Sequence, residues 1–453
     1  MADVIVVGGG ISGLASAWFL YRRGASVILF EGQDRVGGMI KTSCMQNYLL
    51  EHGPNSTMQK PGDPSDALGR LVEDLGIAGR LLTANAQAAR RYVFREGTLL
   101  PLPASPWQFL RTTLFSWSAK WRLMREPFMG RGDDNESIGA FVTRRLGREF
   151  LDYAVEPFVS GVYAGDPWQL SVAAAVPRIH ALERDHGSLI RGAMVLGRLR
   201  KAAGMPAGRL ISFDAGMELL PRTLAERLPA DVVQTRTRVV SLEPVEAEGW
   251  RLTWIRGEEK GQVEARQVVL AVPSGVAAQL VAPFCPVAAR ILEGISYASI
   301  VSLGVGFLRR EIRHPLDGFG FLVPRREAMR TLGALFSSTL FPGRAPVDRA
   351  LLTLFVGGAM DPGAVTEGDR SLTEQVIKDS GRALDIRGMP ELVHITRHGA
   401  AIPQYALGHL ERLQGLEVAL ASCRGLHFRA NWRDGISVAD CVKNAEAAFG
   451  SNP

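Results

Sequence analysis

Three glycines near the start of the chain stand at a spacing that suits a phosphate group. Gly8, Gly10 and Gly13 form the pattern G-x-G-x-x-G, and an acidic residue, Glu31, ends the next apolar run. In such a pattern the first glycine makes a tight turn, the second lets a pyrophosphate approach the backbone, and the third lets a helix pack closely on a strand. A carboxylate at the end of the second strand can accept hydrogen bonds from ribose hydroxyls. These residue types predict a dinucleotide site.

The elements needed to position these residues occur in the right order. Residues 4–7 are an all-apolar run typical of a buried parallel strand, and residues 12–23 read as a helix closed by Gly24. A second strand is predicted over residues 26–30, directly before Glu31. A helix that begins at the glycine loop points free N–H groups at the phosphates. The segment is predicted to be a βαβ unit; a ligand-free glycine turn, the alternative, leaves Glu31 unexplained.

The residues that follow Glu31 indicate which dinucleotide is bound. Their order resembles the E-x-x-x-R-x-G-G extension of FAD-dependent amine oxidases; they are Gly32, Arg35, Gly37, Gly38 and Met39. The paired glycines let the backbone pass close to the cofactor, and the arginine is expected near its phosphates. No second G-x-G-x-x-G opens another βαβ unit, so a separate nicotinamide site is not expected. The predicted cofactor is FAD, held non-covalently because the carboxyl-terminal segment lacks the usual cysteine arrangement.

Composition and charge narrow the remaining function classes. The 453 residues favour two or three domains, and the net charge of +6 comes without a basic run or a zinc or RNA-binding pattern. No nucleic acid partner is therefore predicted. The 4 cysteines are scattered and the histidines lack ligand spacing, so no metal site is predicted and a reduced compartment is favoured. No apolar run is long enough to span a membrane, and the apolar start reads as a first strand rather than a signal peptide.

Motifs farther along the chain resemble one family of flavin enzymes. They run in a consistent order from about residue 3 to about residue 448, and they are Gly53-Pro54-Asn55 and residues 158–167, 213–217, 318–324, 341–346, 402–405 and 425–442. Together with the amino-terminal unit they resemble the protoporphyrinogen oxidase family of the amine oxidase and phytoene desaturase superfamily. Two positions depart from it: Ala430 stands where the family usually has glycine, and His398 where it usually has tryptophan.

The resemblance implies an activity. This is FAD-dependent removal of six electrons from protoporphyrinogen IX to give protoporphyrin IX, with O2 as acceptor and H2O2 as product, in haem biosynthesis. The alternatives are coproporphyrinogen III oxidation within the same family, another flavin amine oxidase or carotenoid desaturase, and a non-catalytic flavin or tetrapyrrole carrier. The sequence shows no paired carboxylates, Ser-His-Asp set or Cys-His pair of the kind that hydrolysis needs. The resemblance is also compatible with hand-off of the product to ferrochelatase and with self-association.

The resemblance further implies an α/β fold with three parts. These are a Rossmann-like FAD-binding domain, a substrate-binding α+β domain and a mainly helical membrane-binding domain. The expected boundaries are residues 1–85, 211–280 and 416–453 for the FAD-binding domain, 86–210 for the helical domain with part of the substrate pocket, and 281–415 for the substrate-binding domain.

Individual residues take expected roles from the resemblance. The cofactor-binding positions are Gly8, Gly10, Ile11, Ser12, Gly13, Glu31, Gly32, Arg35, Gly37, Gly38, Met39, Gly53, Pro54, Asn55, Val239, Ala271, Asn431, Ser437 and Val438. The substrate-binding positions are Arg91, Gly165, Leu322, Leu335 and Phe355. Asn55 matches a position near both flavin and substrate, and it is the one candidate for a catalytic residue. In the family, the segment around Asn431 brings a helix N-terminus toward the flavin.

Each substrate position has a structural alternative. Arg91 is expected to pair with a propionate, because a guanidinium group suits a carboxylate; a solvated surface arginine is the alternative, and Arg90 beside it could take the role. The three apolar positions lie in strand-like runs and could be plain core residues. Gly165 could be a turn glycine before Asp166-Pro167.

Residues 106–129 are predicted to contact a membrane surface. Apolar side chains fall on one face of a helix, within an arc of roughly 100°, with basic side chains between them. The apolar residues are Trp107, Leu110, Leu114, Trp117, Trp121 and Met124, and the basic ones are Arg111, Lys120, Arg122 and Arg125. This mixture suits a helix lying in the membrane interface, and an ordinary core-facing helix is the alternative. The predicted location is cytoplasmic, with peripheral membrane contact through about residues 105–130.

Overall fold

The computed structural model describes residues 2–133, 135–202, 207–245 and 249–450. In chain order its strands are β1 (Ala2–Val7), β2 (Val27–Phe30), β3 (Thr42–Met45), β4 (Tyr48–Glu51), β5 (Thr57–Gln59), β6 (Leu81–Thr83), β7 (Arg91–Arg95), β8 (Thr98–Pro101), β9 (Arg209–Phe213), β10 (Val233–Gln234), β11 (Arg238–Val245), β12 (Gly249–Arg256), β13 (Glu259–Leu270), β14 (Tyr297–Leu308), β15 (Gly320–Leu322), β16 (Gly333–Leu335), β17 (Arg349–Gly357), β18 (Leu392–Pro403) and β19 (Leu426–Phe428).

The α-helices of the described residues lie between and around these strands. They are α1 (Ile11–Arg22), α2 (Ala67–Asp74), α3 (Pro106–Arg111), α4 (Trp117–Arg125), α5 (Ile138–Arg145), α6 (Arg148–Phe150), α7 (Glu156–Tyr163), α8 (Val172–Ala175), α9 (Pro177–His186), α10 (Leu189–Ala202), α11 (Leu219–Arg227), α12 (Ser274–Val281), α13 (Pro286–Glu293), α14 (Ser337–Leu340), α15 (Asp369–Leu384), α16 (His409–Ala419), α17 (Asn431–Asp434) and α18 (Val438–Phe449).

The first large sheet contains the predicted βαβ unit. Its strands run in the order β10-β2-β1-β13-β12-β11, with β19 beside β13. β1 pairs in parallel with β2 and β13, and it buries Val4 and Val6 on one face and Ile5 and Val7 on the other. Helices α1, α2 and α18 pack on the first face, and α12, α13 and α16 on the second. Such two-sided burial is typical of a parallel sheet, and it confirms the predicted Rossmann-like α/β fold.

The second large sheet runs in the order β18-β14-β17-β16-β15-β7-β8. One of its faces is an apolar core that includes Leu303, Phe321 and Leu354. The other face receives the β3–β4 hairpin, because β14 carries glycine where that hairpin crosses it. A Cβ on Gly304 would lie 2.6 Å from Leu50 Cδ2, and one on Gly306 would lie 2.6 Å from Tyr48 Cζ. A small sheet of order β5-β9-β6 completes the strand structure of the described residues.

A buried ion network connects several of the helices that follow α4. Arg145 and Glu126 are both 0% exposed, and Arg145 Nη1 lies 3.1 Å from Glu126 Oε1. Arg145 Nε donates to Glu183 Oε1 at 2.7 Å, and the Ser188 hydroxyl donates to Glu126 Oε2 at 2.6 Å. The network therefore ties α5, α9 and the start of α10 to the turn that follows α4.

The stretch predicted as one amphipathic helix is two helices, α3 and α4, so the single-helix prediction was wrong. The Lys120 ammonium donates to the carbonyl oxygens of Leu110 at 2.9 Å and Thr112 at 2.6 Å, and Ser116 Oγ accepts from the Ala119 N–H at 3.2 Å. These bonds end one helix and begin the next. The turn between them carries Leu114 into the core, where it is 0% exposed, and not to the outer face.

The other apolar side chains of this stretch face outward. Trp107 is 61% exposed, Trp117 66%, Trp121 62%, Met124 58% and Leu110 42%. These side chains do not face the core, so the alternative of an ordinary core-facing helix does not apply to them. Within the described part of the chain, no helix combines the length and hydropathy that a membrane-spanning segment requires.

Candidate cofactor and substrate site

The glycine loop after β1 is packed as tightly as the predicted pattern requires. Gly8 has φ +107°, and a Cβ on it would lie 2.5 Å from the Ala271 carbonyl oxygen. A Cβ on Gly13 would lie 1.9 Å from the Gly8 carbonyl oxygen, whereas one on Gly10 would meet no protein atom within 4 Å. The first and third glycines therefore bring helix and strands together, while the second faces open space.

The start of α1 and the end of β2 meet at this loop. Glu31 Oε2 accepts a hydrogen bond from the Gly9 N–H and Oε1 accepts one from the Gln33 N–H, each at 2.7 Å. Both oxygens retain a lone pair for a ribose hydroxyl. Helix α1 has Gly10 as its N-cap, with no side-chain cap and no acidic residue in its first turn. Ile11 and Ser12 thus begin a helix whose positive end is left for phosphates, which fits a dinucleotide.

The predicted Arg35–Met39 extension forms the second wall of the loop. The Gly37 N–H donates to the Gly9 carbonyl oxygen at 2.8 Å, and a Cβ on Gly38 would lie 3.3 Å from Gly10 Cα. Arg35 donates to the carbonyl oxygens of Val36 and Ile40, each at 3.1 Å, and to that of Gly38 at 2.6 Å. The guanidinium group of Arg35 therefore stabilises the loop through three carbonyl oxygens. The sequence predicted only that it would lie near the phosphates.

The remaining cofactor positions surround the same loop. Gly32 packs on Arg238, one residue before the buried Val239 in β11, and Ala271 N–H donates to the Val7 carbonyl oxygen at 2.8 Å. Ser437 caps α18, which starts at Val438, and the Ser12 hydroxyl is hydrogen-bonded to the Cys441 thiol in the first turn of α18. The N-terminal turns of α1 and α18 therefore meet.

Alanine at position 430 causes no backbone strain. Ala430 precedes Asn431 and has φ −152° and ψ 160°, an extended conformation that any residue adopts. The departure from glycine at this position therefore leaves the geometry around Asn431 intact.

Four of the five predicted substrate residues, all except Gly165, lie on one face of the second sheet. Residues directly opposite each other in neighbouring strands share a face. Leu322 is opposite Gly333, and Gly333 is opposite Phe355. Leu335 is opposite Gly320, which is in turn opposite Arg91.

This shared face is not a closed core. Leu322, Leu335 and Phe355 are half-buried, whereas their neighbours on the opposite face, such as Phe321 and Leu354, are buried. Helix α7 crosses the open face, because a Cβ on its Gly161 would lie 2.9 Å from Leu322 Cδ2. The half-buried face of the sheet, together with α7 where it touches Leu322, is called the slot below.

Arg91 and Arg90 differ in their partners. Arg90 is ion-paired with Asp317, which also accepts a hydrogen bond from the Tyr92 hydroxyl at 2.7 Å. Arg91 is exposed and lies over the Phe319 ring, 5.4 Å from its centroid, and within the described residues it has no carboxylate partner. Of the two arginines, Arg91 is the one available to an anionic substrate.

Gly165 and Asn55 lie near two different cavities. A Cβ on Gly165 would lie 2.5 Å from Gln404 Oε1, and Gln404 lines an open cavity of about 350 Å³ together with Tyr297, Ser299 and Gly358. Gly165 itself is tightly packed, as a turn glycine would be. Asn55 donates to the Gly53 carbonyl oxygen at 3.2 Å and lines a small cavity with Arg344, Ser337 and Thr353, the last of which is opposite Leu335.

A histidine cluster that the sequence pattern did not reveal lies where the β3–β4 hairpin meets β18. His52 precedes Gly53, and its ring lies between Ser43 of β3 and Thr396 of β18. The pKa of His52 is lowered to about 4, by burial first and then by the neighbouring His394, Lys41, His398 and Arg35. The alternation of His394, Thr396 and His398 along one strand was the available signal, because a period of two places all three on one face.

Comparison with known proteins identifies relatives of the whole chain. Residues 11–448 match the family described as flavin containing amine oxidoreductase. The chain is 33% identical to the chloroplastic protoporphyrinogen oxidase of Oryza sativa subsp. japonica, over 98% of this chain and 87% of the relative. It is 28% identical to the coproporphyrinogen III oxidase of Bacillus subtilis (strain 168), over 98% of this chain and 96% of the relative.

Solved structures give the same result. A protein from Exiguobacterium sp. 255-15, provisionally assigned as a protoporphyrinogen oxidase, superposes with a TM-score of 0.82 at 25% identity, covering 99% of this chain and 98% of that one. Wild-type putrescine oxidase bound to putrescine superposes with a TM-score of 0.70 at 19% identity, over 99% and 98% of the two chains, which shows a shared fold. The chain belongs to the flavin-containing amine oxidoreductase family, and FAD is its cofactor.

Proposed function

We propose that this protein oxidises protoporphyrinogen IX to protoporphyrin IX. Six electrons and six hydrogens leave the substrate in three rounds, and three molecules of O2 take them up as H2O2. FAD, bound non-covalently, supplies two-electron acceptance in each round. The observation that carries the proposal is the shared face of Arg91, Leu322, Leu335 and Phe355, which offers an apolar slot with one cation at its edge.

The residues of the slot suit an apolar macrocycle that carries carboxylates. The half-buried Leu322, Leu335 and Phe355 can pack against a macrocycle. The guanidinium group of Arg91 can hold a propionate in a bidentate pair. The protein mainly orients the ring, because aromatisation provides the driving force. Asn55 is the proposed polar contact between substrate and cofactor.

The direct test is oxidation by the purified flavoprotein. Aerobic incubation with protoporphyrinogen IX should raise porphyrin fluorescence well above the autoxidation blank, with H2O2 formed in step. A rate equal to the blank would contradict the proposal. Measuring H2O2 formation with amines as substrates distinguishes porphyrinogen oxidation from amine oxidation. A protein that binds flavin but oxidises neither substrate would favour a carrier.

Coproporphyrinogen III is the second candidate, because one relative carries that activity in its name. Its additional propionates would require further cations in the slot. Arg95, on the same face of β7 as Arg91, already interacts with Glu149 at 3.2 Å. A single available anchor therefore favours protoporphyrinogen. Parallel assays on both porphyrinogens decide the question, and a clear preference for coproporphyrinogen would reverse this choice.

We further propose that the exposed tryptophans of α3 and α4 contact an anionic membrane surface. Arg111 is exposed and lies 4.4 Å from the Trp107 ring centroid, so an apolar and a cationic group stand together on α3. Lys120 is buried, with its ammonium group on two carbonyl oxygens, and does not take part in this contact. Tryptophan beside cations suits the interface of a bilayer. We propose with it peripheral association in the cytoplasm, three domains with the boundaries given above, and release of product near a membrane, where ferrochelatase could receive it.

The membrane proposal is tested with vesicles. Replacing Trp107, Trp117 and Trp121 by serine should weaken binding to phosphatidylglycerol vesicles by about tenfold or more. A matched control replaces three exposed apolar residues elsewhere, Val347, Met389 and Val418, which are 87%, 73% and 72% exposed. Equal vesicle binding by both triple variants would contradict the proposal.

A further inference from the structure

His52 is held at four points, which is unusual for a residue just after a strand. Its backbone N–H donates to the Lys41 carbonyl oxygen at 2.9 Å, and its carbonyl oxygen accepts from His398 Nε2 at 2.7 Å. Its ring Nε2 lies 2.8 Å from Ser43 Oγ and its Nδ1 lies 3.0 Å from Thr396 Oγ1. Both backbone polar groups and both ring nitrogens are therefore engaged.

The residue after His52 touches the cofactor loop. A Cβ on Gly53 would lie 2.1 Å from the Met39 carbonyl oxygen, so the two backbones are in direct contact. Gly38, next to Met39, lies against Gly10, as described above. An unbroken series of contacts thus runs from His52 through Gly53 and Met39 to the glycine loop.

The partners of His52 on β18 lie on the face that forms the substrate slot. Thr396 is opposite Ser302 of β14, and Ser302 is opposite Phe355 of β17. His398 is two residues beyond Thr396 along β18 and therefore projects from the same face. The histidine cluster is the place where the cofactor loop is attached to the sheet of the slot.

We propose that His52 is a positioning residue, which fixes the Gly37–Met39 wall of the cofactor loop to the sheet that carries Phe355. His398 completes this attachment through the His52 carbonyl oxygen, a bond that tryptophan at the same position could make only through its indole N–H. The proposal rests on FAD binding and not on the identity of the substrate.

The geometry argues against two other roles for His52. A general base needs a ring nitrogen that can reach the substrate, and both nitrogens of His52 are used by hydroxyl groups. A metal site needs several converging ligands, and no such group of His, Cys, Asp or Glu side chains occurs within the described residues. Burial, and then the neighbouring His394, Lys41, His398 and Arg35, lower the pKa of the ring and so favour its neutral form.

The test compares two substitutions of His398. Glutamine keeps an N–H donor and methionine does not, so His398→Met should raise the FAD dissociation constant of the apoprotein by about tenfold, while His398→Gln stays within about threefold of the wild type. The melting temperatures of the two apoproteins should agree within about 2 °C. At saturating FAD, the visible absorption bands should shift in the methionine variant only.

Further variants guard against a folding defect. Thr396→Val removes one ring partner at constant shape and should also weaken FAD binding, whereas Thr366→Val, at an exposed turn, and His186→Met should not. Equal FAD affinity in wild type and His398→Met, or equal loss in the glutamine and methionine variants, would overturn the proposal. Because the experiment uses no porphyrinogen, its result can be interpreted even if the protein does not oxidise porphyrinogens.

Discussion

The rings of Tyr405 and His409 are stacked, with centroids 4.4 Å apart and planes 13° from parallel. Tyr405 joins this stack to the cofactor side of the molecule. Its hydroxyl donates to the Asn431 carbonyl oxygen and accepts from the Gly435 N–H at 2.9 Å. The pKa of His409 is lowered to about 4, by burial first and then by the neighbouring Arg412. The neutral imidazole is thus the form that the fold accommodates beside the turn leading into α18.

His409 should make the protein less stable in acid. Its pKa is about 4 in the folded state and about 6.5 when unfolded, so between these values the unfolded chain binds a proton that the folded chain does not. Stability is therefore lost as pH falls from 6.5 to 4 and levels off below. His409→Phe keeps the stack without the titration, and its melting temperature should fall less over this range. Parallel curves of melting temperature against pH for the two proteins would contradict the prediction.

Gly13 and Gly10 should respond differently to alanine. Because the Cβ at Gly13 would lie 1.9 Å from a backbone oxygen, Gly13→Ala must displace the loop, and we expect loss of FAD together with a lower melting temperature of the apoprotein. Gly10→Ala has room in the protein, so its apoprotein should melt normally while FAD binding weakens about tenfold or more, since the methyl group occupies cofactor space. Normal FAD affinity in Gly10→Ala would contradict this assignment.

Arg91 should contribute to substrate binding more than to turnover. Losing a charge-assisted pair costs about 1.5–3 kcal/mol, so Arg91→Ala should raise the KM for porphyrinogen by about ten- to a hundredfold with a smaller change in kcat. Arg90→Ala is the matched control, because that side chain is already paired with Asp317. Steady-state kinetics on both variants measures the difference. A larger effect at Arg90 would show that the anchor had been assigned one residue too late.

Arg145 should be among the most sensitive positions for stability. Arg145→Met leaves the fully buried Glu126 without its cation, which typically costs about 3–5 kcal/mol. Arg222→Met breaks an exposed pair with Glu226, whose ions are 3.6 Å apart, and should cost about 1 kcal/mol or less. Urea unfolding of both apoproteins gives the comparison. Similar midpoints for the two variants would mean that the buried network does not hold the helices together.

The amino-acid sequence by itself determined the cofactor half of the site. Gly8, Gly13 and Glu31 act within one short βαβ unit, where spacing along the chain sets spacing in space, so the pattern predicts the geometry directly. The same holds for the Gly37–Gly38 wall. The resemblance of the later motifs pointed to a family that the comparisons then confirmed.

Only the tertiary structure decided which distant residues share a surface. Arg91 meets the face of Leu335 and Phe355 because β7, β15, β16 and β17 pair in one register, and such pairing between remote segments cannot be read from local spacing. The break between α3 and α4 depended on Lys120 reaching back to Leu110, a contact that helical periodicity ignores. The contacts of His52 could not be predicted from the sequence for the same reason. Its partners, Ser43 and Thr396, come together only when the β3–β4 hairpin lies on β18.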